Sequence, residues 1–495
     1  MGGFTEVNLA EFLGILPEIL VLLWATLLLA LDLFLPSGIP RRSMSLLSAG
    51  GLLIVALVTV LIRPAEPQVI LGGMVRNDLF LTVFRLIFLL AAALTCLVSV
   101  DFRPLRAGSE YHVLVMFAAV AMSLMVGADN ILMLYLATES ASLTLYLLAG
   151  VQRGDRLSAE AGLKYFVFGA VTSTTMLFGL SLFFGLSGGQ LSYKGIASVL
   201  SQPQLRLPLT LAALLVLVGL AFKTSAVPFQ FWAPDVYQGA PSPVAGFIST
   251  ASKAAGFGIL LRFFFNAMPP GVSEASLSWV WLMQPIAILT MTVGSLLAVV
   301  QSNVKRMLAY SSVAQAGYVF VGVTAMALGA LNRAEALAAV IFYLATYMLT
   351  NIVAFAVLGV VEQRVGGSDF QHFNGLARRA PYLALGMAAS MLSLLGAPPM
   401  VGFAAKVIIF REAIGVDLVP LVAIGIVNVL ISVAYYLNVV RAMYVERAET
   451  ESPLFVPSTL GSVVMIVAVG LVVLTFASEP FWGLALEAAR AFLRS

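Results

Sequence analysis

Long apolar segments alternate with short polar connections along almost the whole chain. Each segment has about 20 residues or more, the length that a helix needs to cross about 30 Å of hydrocarbon. Because lipid offers backbone N–H and C=O groups no other partners, each segment is predicted to be helical. The pattern predicts fourteen membrane spans, at residues 9–35, 44–63, 77–100, 111–128, 130–151, 158–187, 207–237, 241–266, 276–300, 304–327, 334–361, 380–412, 417–442 and 457–477.

The composition is typical of a multi-pass membrane protein. Hydrophobic residues make up 61% of the 495 residues and charged residues 10%, whereas a soluble protein has about 45–50% and about 25%. With a mean hydropathy of +1.01, these values exclude a soluble enzyme and a disordered protein. The net charge of +3 is too small for a nucleic-acid-binding face. The single cysteine, Cys96, and the distant His112 and His372 give no metal or haem spacing, so we expect no redox cofactor in this chain.

Lysine and arginine are divided unequally between the spans and the connections. The chain has 21 Arg and only 6 Lys, yet four of the lysines lie inside apolar segments, namely Lys164, Lys223, Lys253 and Lys406. Arginine is effectively always charged, whereas desolvation favours the neutral form of a buried lysine. A row of buried lysines can therefore load and unload protons. A buried basic residue can instead form a structural ion pair or extend its charged end to the headgroups. For Lys164 this structural explanation and the proton-carrying one are equally favoured, and for Arg85 and Arg262 the structural explanation is favoured.

One carboxylate lies at a similar depth. Glu139 is near the middle of the fifth span, where an unpaired charge costs on the order of 3 kcal/mol. A lysine on another helix is its natural partner. A purely structural ion pair would stabilise little, because desolvation offsets the attraction. A pair that opens and closes would instead control when the lysine releases its proton.

Two spans are predicted to be broken by proline. Residues 223–229 read Lys-Thr-Ser-Ala-Val-Pro-Phe, and residues 396–403 read Gly-Ala-Pro-Pro-Met-Val-Gly-Phe. Proline removes a helical hydrogen bond, and such breaks are tolerated in membranes where they line a polar cavity. Interrupted spans at corresponding positions indicate inverted repeats around a transport pathway. Spans seven and twelve are five apart, which suits one repeat of spans 4–8 and another of spans 9–13.

These features together predict an all-α, polytopic fold in a single membrane domain, 1–495. Its predicted parts are the first three helices (about 9–110), the first repeat (about 111–266), the second repeat (about 276–442), and the last helix with an amphipathic tail (about 457–495). Connections between odd spans and the spans that follow them hold thirteen Lys and Arg, against eight on the opposite side. Positive charge favours the cytoplasmic side, so both termini are predicted to lie outside.

Hydroxyl and amide groups are unusually frequent in the sixth, tenth and eleventh spans. Tyr343, Tyr347 and Asn351 share one face of the eleventh span by their spacing of about four. Such groups can hold water between titratable residues, although each one alone is better explained by helix–helix hydrogen bonding. The others are Ser311, Ser312, Gln315 and Tyr318 in the tenth span and Thr172, Ser173, Thr174 and Thr175 in the sixth.

Three motifs resemble those of a known family. They are Ala159-Glu160-Ala161-Gly162-Leu163-Lys164-Tyr165-Phe166; Gly219-Leu220-Ala221-Phe222-Lys223 followed by Pro228-Phe229 and residues 232–241; and Asn303-Val304-Lys305-Arg306-Met307-Leu308-Ala309-Tyr310-Ser311-Ser312. They resemble the antiporter-like membrane subunits of respiratory complex I, the NADH–quinone oxidoreductase, over roughly residues 9–477. Within that family the chain is most similar to subunit N, because its twelfth span carries lysine, Lys406, where subunit M has glutamate.

The resemblance implies roles for individual residues. Glu139 would be the fifth-span carboxylate, Lys223 the lysine that pairs with it, Lys253 the central relay, and Lys406 the terminal proton site. Lys164 matches a further family lysine. Gln230 and Gln315 occupy positions where family members often have histidine. Because glutamine does not titrate, water must serve there instead of an imidazole.

The resemblance also implies the activity of the chain, its membrane and its partner subunits. The chain would pump protons across an energy-coupling membrane, most simply the bacterial inner membrane, beside other antiporter-like and small helical subunits and without nucleic acid. NAD(P)H or ferredoxin, FMN, iron–sulfur clusters and quinone would react in other subunits. Three alternatives stay open: a subunit of a multisubunit sodium/proton antiporter, a non-pumping scaffold subunit, and a membrane subunit of a hydrogenase.

Overall fold

The computed structural model describes residues 9–34, 41–102, 105, 109–271, 274–329, 333–448 and 452–494. Within these ranges, thirteen helical segments are long and apolar enough to cross a membrane. They coincide with predicted spans one to eleven, thirteen and fourteen. The predicted twelfth span is present as two shorter helices separated by a break. The all-α polytopic fold is therefore confirmed.

The first half of the chain contains eleven helices and a small hairpin. The hairpin, β1 (Gln68–Ile70) and β2 (Val75–Asn77), is antiparallel and was not predicted. The helices are α1 (Leu9–Phe34), α2 (Arg41–Leu61), α3 (Leu79–Val98), α4 (Glu110–Gly127), α5 (Ile131–Ala149), α6 (Arg156–Leu186), α7 (Tyr193–Ala197), α8 (Arg206–Thr224), α9 (Trp232–Gly239), α10 (Ser242–Phe247) and α11 (Lys253–Ala267), with a 3₁₀ turn at Pro203–Leu205 and a π turn at Ile248–Ser252.

The second half continues with nine helices. They are α12 (Glu274–Val299), α13 (Val304–Leu328), α14 (Arg333–Val365), α15 (Leu376–Arg379), α16 (Pro381–Leu395), α17 (Val401–Ile414), α18 (Val419–Tyr444), α19 (Ser458–Phe476) and α20 (Glu479–Arg494), with a 3₁₀ turn at Phe370–Phe373. The eighth span (α10, the π turn and α11), α13 and α14 are almost wholly enclosed by other helices, whereas α1 and α6 are largely exposed on their outer faces.

Spans seven and twelve are broken where the prolines predict. The first halves, α8 and α16, end in the same way, with left-handed Ser225 (φ 56°) and Gly396 (φ 84°). The backbone N–H of the next residue then reaches back five positions, from Ala226 to Ala221 at 2.8 Å and from Ala397 to Leu392 at 2.9 Å. The second halves, α9 and α17, begin after Pro228 and Pro399, each of which follows a cis peptide bond. The division into two repeats stays a prediction.

Two buried ion pairs hold the first three spans, one pair among themselves and one to the eighth span. Arg85 donates from Nε to Glu18 at 2.8 Å, which joins α3 to α1. Arg262 of α11 donates to Asp78 at 2.5 Å, and both side chains are fully buried. Both arginines therefore form structural pairs within the protein instead of extending to the headgroups. Since a buried charge without its partner is costly, each pair fixes the relative position of its two helices.

The amphipathic tail forms α20 and packs along α14 and α3. Its buried face consists of Ala485, Ala488, Ala489 and Phe492. The Phe492 ring lies 4.7 Å from the Phe80 ring and 5.4 Å from the Arg262 guanidinium. The tail thus covers the Arg262–Asp78 pair. The prediction extended the tail to Ser495, which lies outside the described ranges.

Candidate functional site

Lys253 lies at the start of α11, directly after the π turn, in the centre of the bundle. Only 2% of its surface is exposed. Its ammonium donates to the Ser312 carbonyl at 2.6 Å and to the Ser312 hydroxyl at 2.8 Å. Both acceptors are neutral and belong to α13. Lys253 therefore has direct polar contact with the tenth span.

Lys406 lies on the second turn of α17, beyond the break in span twelve, and is 5% exposed. Its ammonium donates to the Leu394 carbonyl at 2.6 Å and lies 3.4 Å from the Gln315 side-chain oxygen. The Leu394 carbonyl is available because α16 ends one residue later and leaves its last carbonyls without helical donors. The rings of Tyr318 and Tyr343 lie 5.0 and 5.8 Å from the ammonium, within reach of cation–π attraction.

Gln315 connects Lys406 to a wider network on α13. Its amide nitrogen donates to Leu394 at 2.8 Å and to the Tyr436 hydroxyl at 3.0 Å, while its oxygen accepts from Tyr343. Tyr436 of α18 also contacts the Ser311 hydroxyl at 2.5 Å. Sequence reasoning missed Tyr436, although a tyrosine pair, Tyr435-Tyr436, inside an apolar span was a usable signal.

The polar face predicted for the eleventh span is present on α14. Asn351 donates to the Tyr347 hydroxyl at 3.0 Å and to the Ser249 hydroxyl at 2.6 Å. Ser249 belongs to the π turn before Lys253. Along this one face, α14 therefore contacts the eighth span through Asn351 and lies close to Lys406 through Tyr343.

Lys223 and Glu139 belong to different helices, α8 and α5, and are not in direct contact. Lys223 is buried in the last turn of α8, and its ammonium has no hydrogen-bond partner in the part of the chain that the structure describes. Glu139 of α5 is half-buried and accepts a hydrogen bond from Ser173 of α6. The expected ion pair is thus open in this structure, with the carboxylate held by a hydroxyl group instead.

Lys164 lies apart from the buried lysines, at the polar end of α6. It is 37% exposed in its side chain and pairs with Glu160 and Asp235, each at 2.6 Å. Asp235 of α9 also accepts from Arg306 of α13 at 2.7 Å. The structure therefore places Lys164 in a surface network that holds the half-helix α9, and does not join it to Lys253 or Lys406.

A polar cavity of about 470 Å³ opens at the same end of the bundle. Its lining includes Lys305, which pairs with Glu362 at 3.0 Å, while Ser242 donates to the same carboxylate. These three residues tie together the ends of α13, α14 and α10. The sequence analysis includes Lys305 only as part of a motif and does not identify Glu362. Gln230 is buried, and its side-chain oxygen has no partner among the described residues.

The fold and the site define a multi-pass membrane protein with two broken helices and buried lysines beside the breaks. A family model described as the membrane part of the NADH:quinone oxidoreductase/Mrp antiporter family matches residues 128–432. The chain belongs to this family.

Individual relatives and solved structures are similar to the chain over nearly its whole length. The chain is 38% identical over 469 residues to NADH-quinone oxidoreductase subunit N of Moorella thermoacetica, covering 94% of this chain and 95% of the relative. It is similar to a chain of respiratory complex I from Thermus thermophilus, with 30% identity, a TM-score of 0.77, and coverage of 95% and 99%. A chain of the Mrp complex from Dietzia sp. shares the fold, with a TM-score of 0.84, 19% identity and 97% coverage of both chains.

Proposed function

We propose that this chain is a proton-translocating membrane subunit of a complex I-type NADH–quinone oxidoreductase, of the subunit N type. One observation carries the proposal: two buried lysines on different broken or distorted helices, Lys253 and Lys406, both donate to α13, at positions one turn apart. No carboxylate pairs with either lysine in the described residues. Buried amines with only neutral acceptors can exchange protons at modest cost.

The proton enters the relay at Lys223 in this proposal. With Glu139 turned toward Ser173, the Lys223 ammonium lacks a direct counter-charge and gives up its proton readily. Closing the Glu139–Lys223 pair would hold the proton. Moving one charge against 100 mV costs about 2.3 kcal/mol. A hydrogen bond to a charged group contributes about 1.5–3 kcal/mol. The free energy of making or breaking one contact at Lys223 is therefore comparable to the cost of moving the charge.

Lys253 and Lys406 then pass the proton toward the outside. Lys164 acts on this path by positioning α9 through Asp235. Neighbouring membrane subunits deliver the conformational or electrostatic change, and electron transfer from NAD(P)H or ferredoxin through FMN and iron–sulfur clusters to quinone takes place in other subunits. The membrane is the bacterial inner membrane, and both termini lie on its outer side.

A sodium/proton antiporter subunit is the second candidate function, because the Mrp complex shares the fold. Sodium prefers oxygen ligands, whereas the groups assembled here beside the breaks are amines, which carry protons and do not bind sodium. The greater identity to relatives named subunit N also favours the proton pump. A passive scaffold would need no lysines at the two breaks.

The proposal is tested in the assembled complex, reconstituted in vesicles and driven by NADH and a quinone. Lys223→Arg keeps the charge but cannot titrate, so we expect proton uptake to fall at least about tenfold. Lys406→Ala should lose pumping as well. Lys194→Arg, the same exchange at an exposed residue of α7, is the matched control and should pump normally.

Undiminished pumping in both Lys223→Arg and Lys406→Ala would leave a scaffold as the remaining function. Affinity purification in mild detergent tests separately which subunits accompany the chain. Flavin and iron–sulfur subunits should accompany the chain together with quinone reductase activity. Recovery with antiporter-like membrane proteins alone, and sodium-dependent proton exchange in vesicles, would favour the antiporter.

A further inference from the structure

The strap, residues 366–373, lies across the start of α13. It belongs to the connection between spans eleven and twelve, on the predicted cytoplasmic side. Val304 donates from its backbone N–H to the Ser368 carbonyl at 2.8 Å. Asn303 donates from its side-chain amide to the Asp369 carboxylate at 2.8 Å. Backbone and side-chain hydrogen bonds therefore hold the strap on the segment that begins α13.

Asn303 is also the residue that caps α13. Its side-chain oxygen accepts from the backbone N–H groups of Lys305 at 3.0 Å and Arg306 at 3.2 Å. Such a cap satisfies N–H groups that have no partner within the helix, and losing it costs stability. A change in the strap that frees Asn303 is therefore transmitted to the first turn of α13.

The half-buried imidazole of His372 closes the strap on itself. Its Nδ1 accepts from the backbone N–H of Asp369 at 3.1 Å. The ring packs so closely on Gly367 that a Cβ there would overlap it. In a capping box this position, three residues after the cap, normally has Glu or Gln. Histidine can fill it only while Nδ1 is unprotonated, because a protonated imidazole has donors alone.

Charged groups on the neighbouring elements are engaged with other partners. Arg378 and Arg379 of α15 also have partners. Within the strap, Asp369 is the carboxylate nearest to His372 in the chain, so a protonated ring would compete with Asn303 for it. The other charged groups, at the ends of α13, α14 and α18, are Lys305, Arg306, Glu362, Arg364, Arg441 and Glu446.

We infer that His372 is a proton-operated latch: its neutral ring keeps the strap on α13, and its protonation from the cytoplasmic side releases the strap and slows pumping. The inference rests on the proposed function, because it concerns the rate of that pump. Helix α13 carries Ser312 and Gln315, the acceptors of both buried lysines, so loosening its first turn weakens the framework of the relay. Gly367 also lines the polar cavity of about 470 Å³, so the same release alters the rim of that cavity.

Hydrogen–deuterium exchange of the assembled complex tests the latch without any activity. His372→Gln supplies a capping-box acceptor that does not titrate, and comparing it with the wild type at one pH cancels the intrinsic effect of pH on exchange. At about pH 8 the strap should exchange equally slowly in both proteins. At about pH 5.5 the wild-type strap should exchange at least about threefold faster, because it loses one hydrogen bond. Equal exchange at both pH values, or a difference that does not depend on pH, overturns the latch.

Pumping in vesicles is the second readout. When the medium on the cytoplasmic side is acidified from about pH 8 to about pH 6, we expect the wild type to lose at least about twofold more of its rate than His372→Gln. His112→Gln changes the other histidine of the chain, which bonds to Ser45 outside the strap, and should respond to acid as the wild type does. An equal acid response of His372→Gln and the wild type overturns the regulation. Normal pumping in Lys406→Ala would instead overturn the proposed function, and the exchange experiment would still decide whether the latch opens.

Discussion

Ser312 and Gln315, one turn apart on α13, each accept a hydrogen bond from a different buried lysine. Lys253 donates to Ser312 at 2.8 Å, and Lys406 lies 3.4 Å from the Gln315 oxygen. The two lysines come from different predicted repeats and contact neighbouring positions on one face of the same helix. Helix α13 is thus the element on which the two halves of the path meet, and a shift of this helix would change both contacts together.

Ser173→Ala should slow pumping. The Ser173 hydroxyl holds Glu139, so its removal leaves a half-buried carboxylate that gains by turning to Lys223. The closed pair would keep the lysine protonated. We expect a decrease of about tenfold, which corresponds to about 1.4 kcal/mol, close to the lower end of the range of about 1.5–3 kcal/mol for one hydrogen bond to a charged group. Pumping by vesicles is the measurement. Ser181→Ala, on the exposed face of the same helix, is the control, and an equal rate in both variants would contradict the prediction.

Gly402→Ala should impair assembly. A Cβ at this position, on the first turn of α17, would lie 1.9 Å from the Ser393 carbonyl oxygen of α16. Because the obstacle is backbone, the two half-helices would have to move apart. We expect the amount of assembled complex on a native gel to fall severalfold. Gly470→Ala in α19, where a Cβ meets nothing within 4 Å, should assemble at least as well as the wild type. Similar yields of the two variants would show that the break tolerates displacement.

Arg262→Leu should destabilise the chain by about 3–5 kcal/mol, because it leaves Asp78 charged, buried and without its main partner. The double variant Arg262→Leu/Asp78→Leu should lose less than the single variant, since it leaves no unpaired charge. Labelling of Cys96, the buried single cysteine, by a thiol reagent during heating reports unfolding in the gel band of this subunit. A double variant that is less stable than Arg262→Leu would contradict the argument.

Lys164→Gln should have a milder effect than Lys223→Arg. Lys164 is partly exposed, and its ion pairs with Glu160 and Asp235 contribute little, as is usual for surface pairs. Asp235 keeps its contact with Arg306 in the variant. We expect at least about half of the wild-type pumping rate in vesicles. A loss as great as that of Lys223→Arg would assign Lys164 to the proton path itself.

Apolar periodicity and proline placement were sufficient to predict the spans and both breaks. Lipid leaves a long apolar segment few alternatives, and proline disrupts a helix wherever it occurs inside one. The choice of Lys223, Lys253 and Lys406 as buried residues also followed from the sequence, because lysine in an apolar segment is rare and costly.

The partners of these lysines could not be predicted in the same way. The main acceptor for Lys406 is the backbone carbonyl of Leu394, and a carbonyl has no signature in the residue type. The contact of Glu139 with Ser173 competes with the expected one with Lys223, and the choice depends on helix rotation that spacing does not determine. Tyr436 reaches the site from α18, more than a hundred residues from its partners.

Helix α20 covers Arg262 with Phe492, and it packs along both α3 and α14. It is synthesised after every helix that it contacts. While the earlier spans leave the insertion machinery, the Arg262 guanidinium therefore has the Phe80 ring beside it and still lacks the Phe492 ring. This part of the core is complete only when α20 has been synthesised and has packed in place. Because α20 is the last helix to leave the ribosome, covering the Arg262–Asp78 pair is one of the last steps in the biogenesis of the subunit.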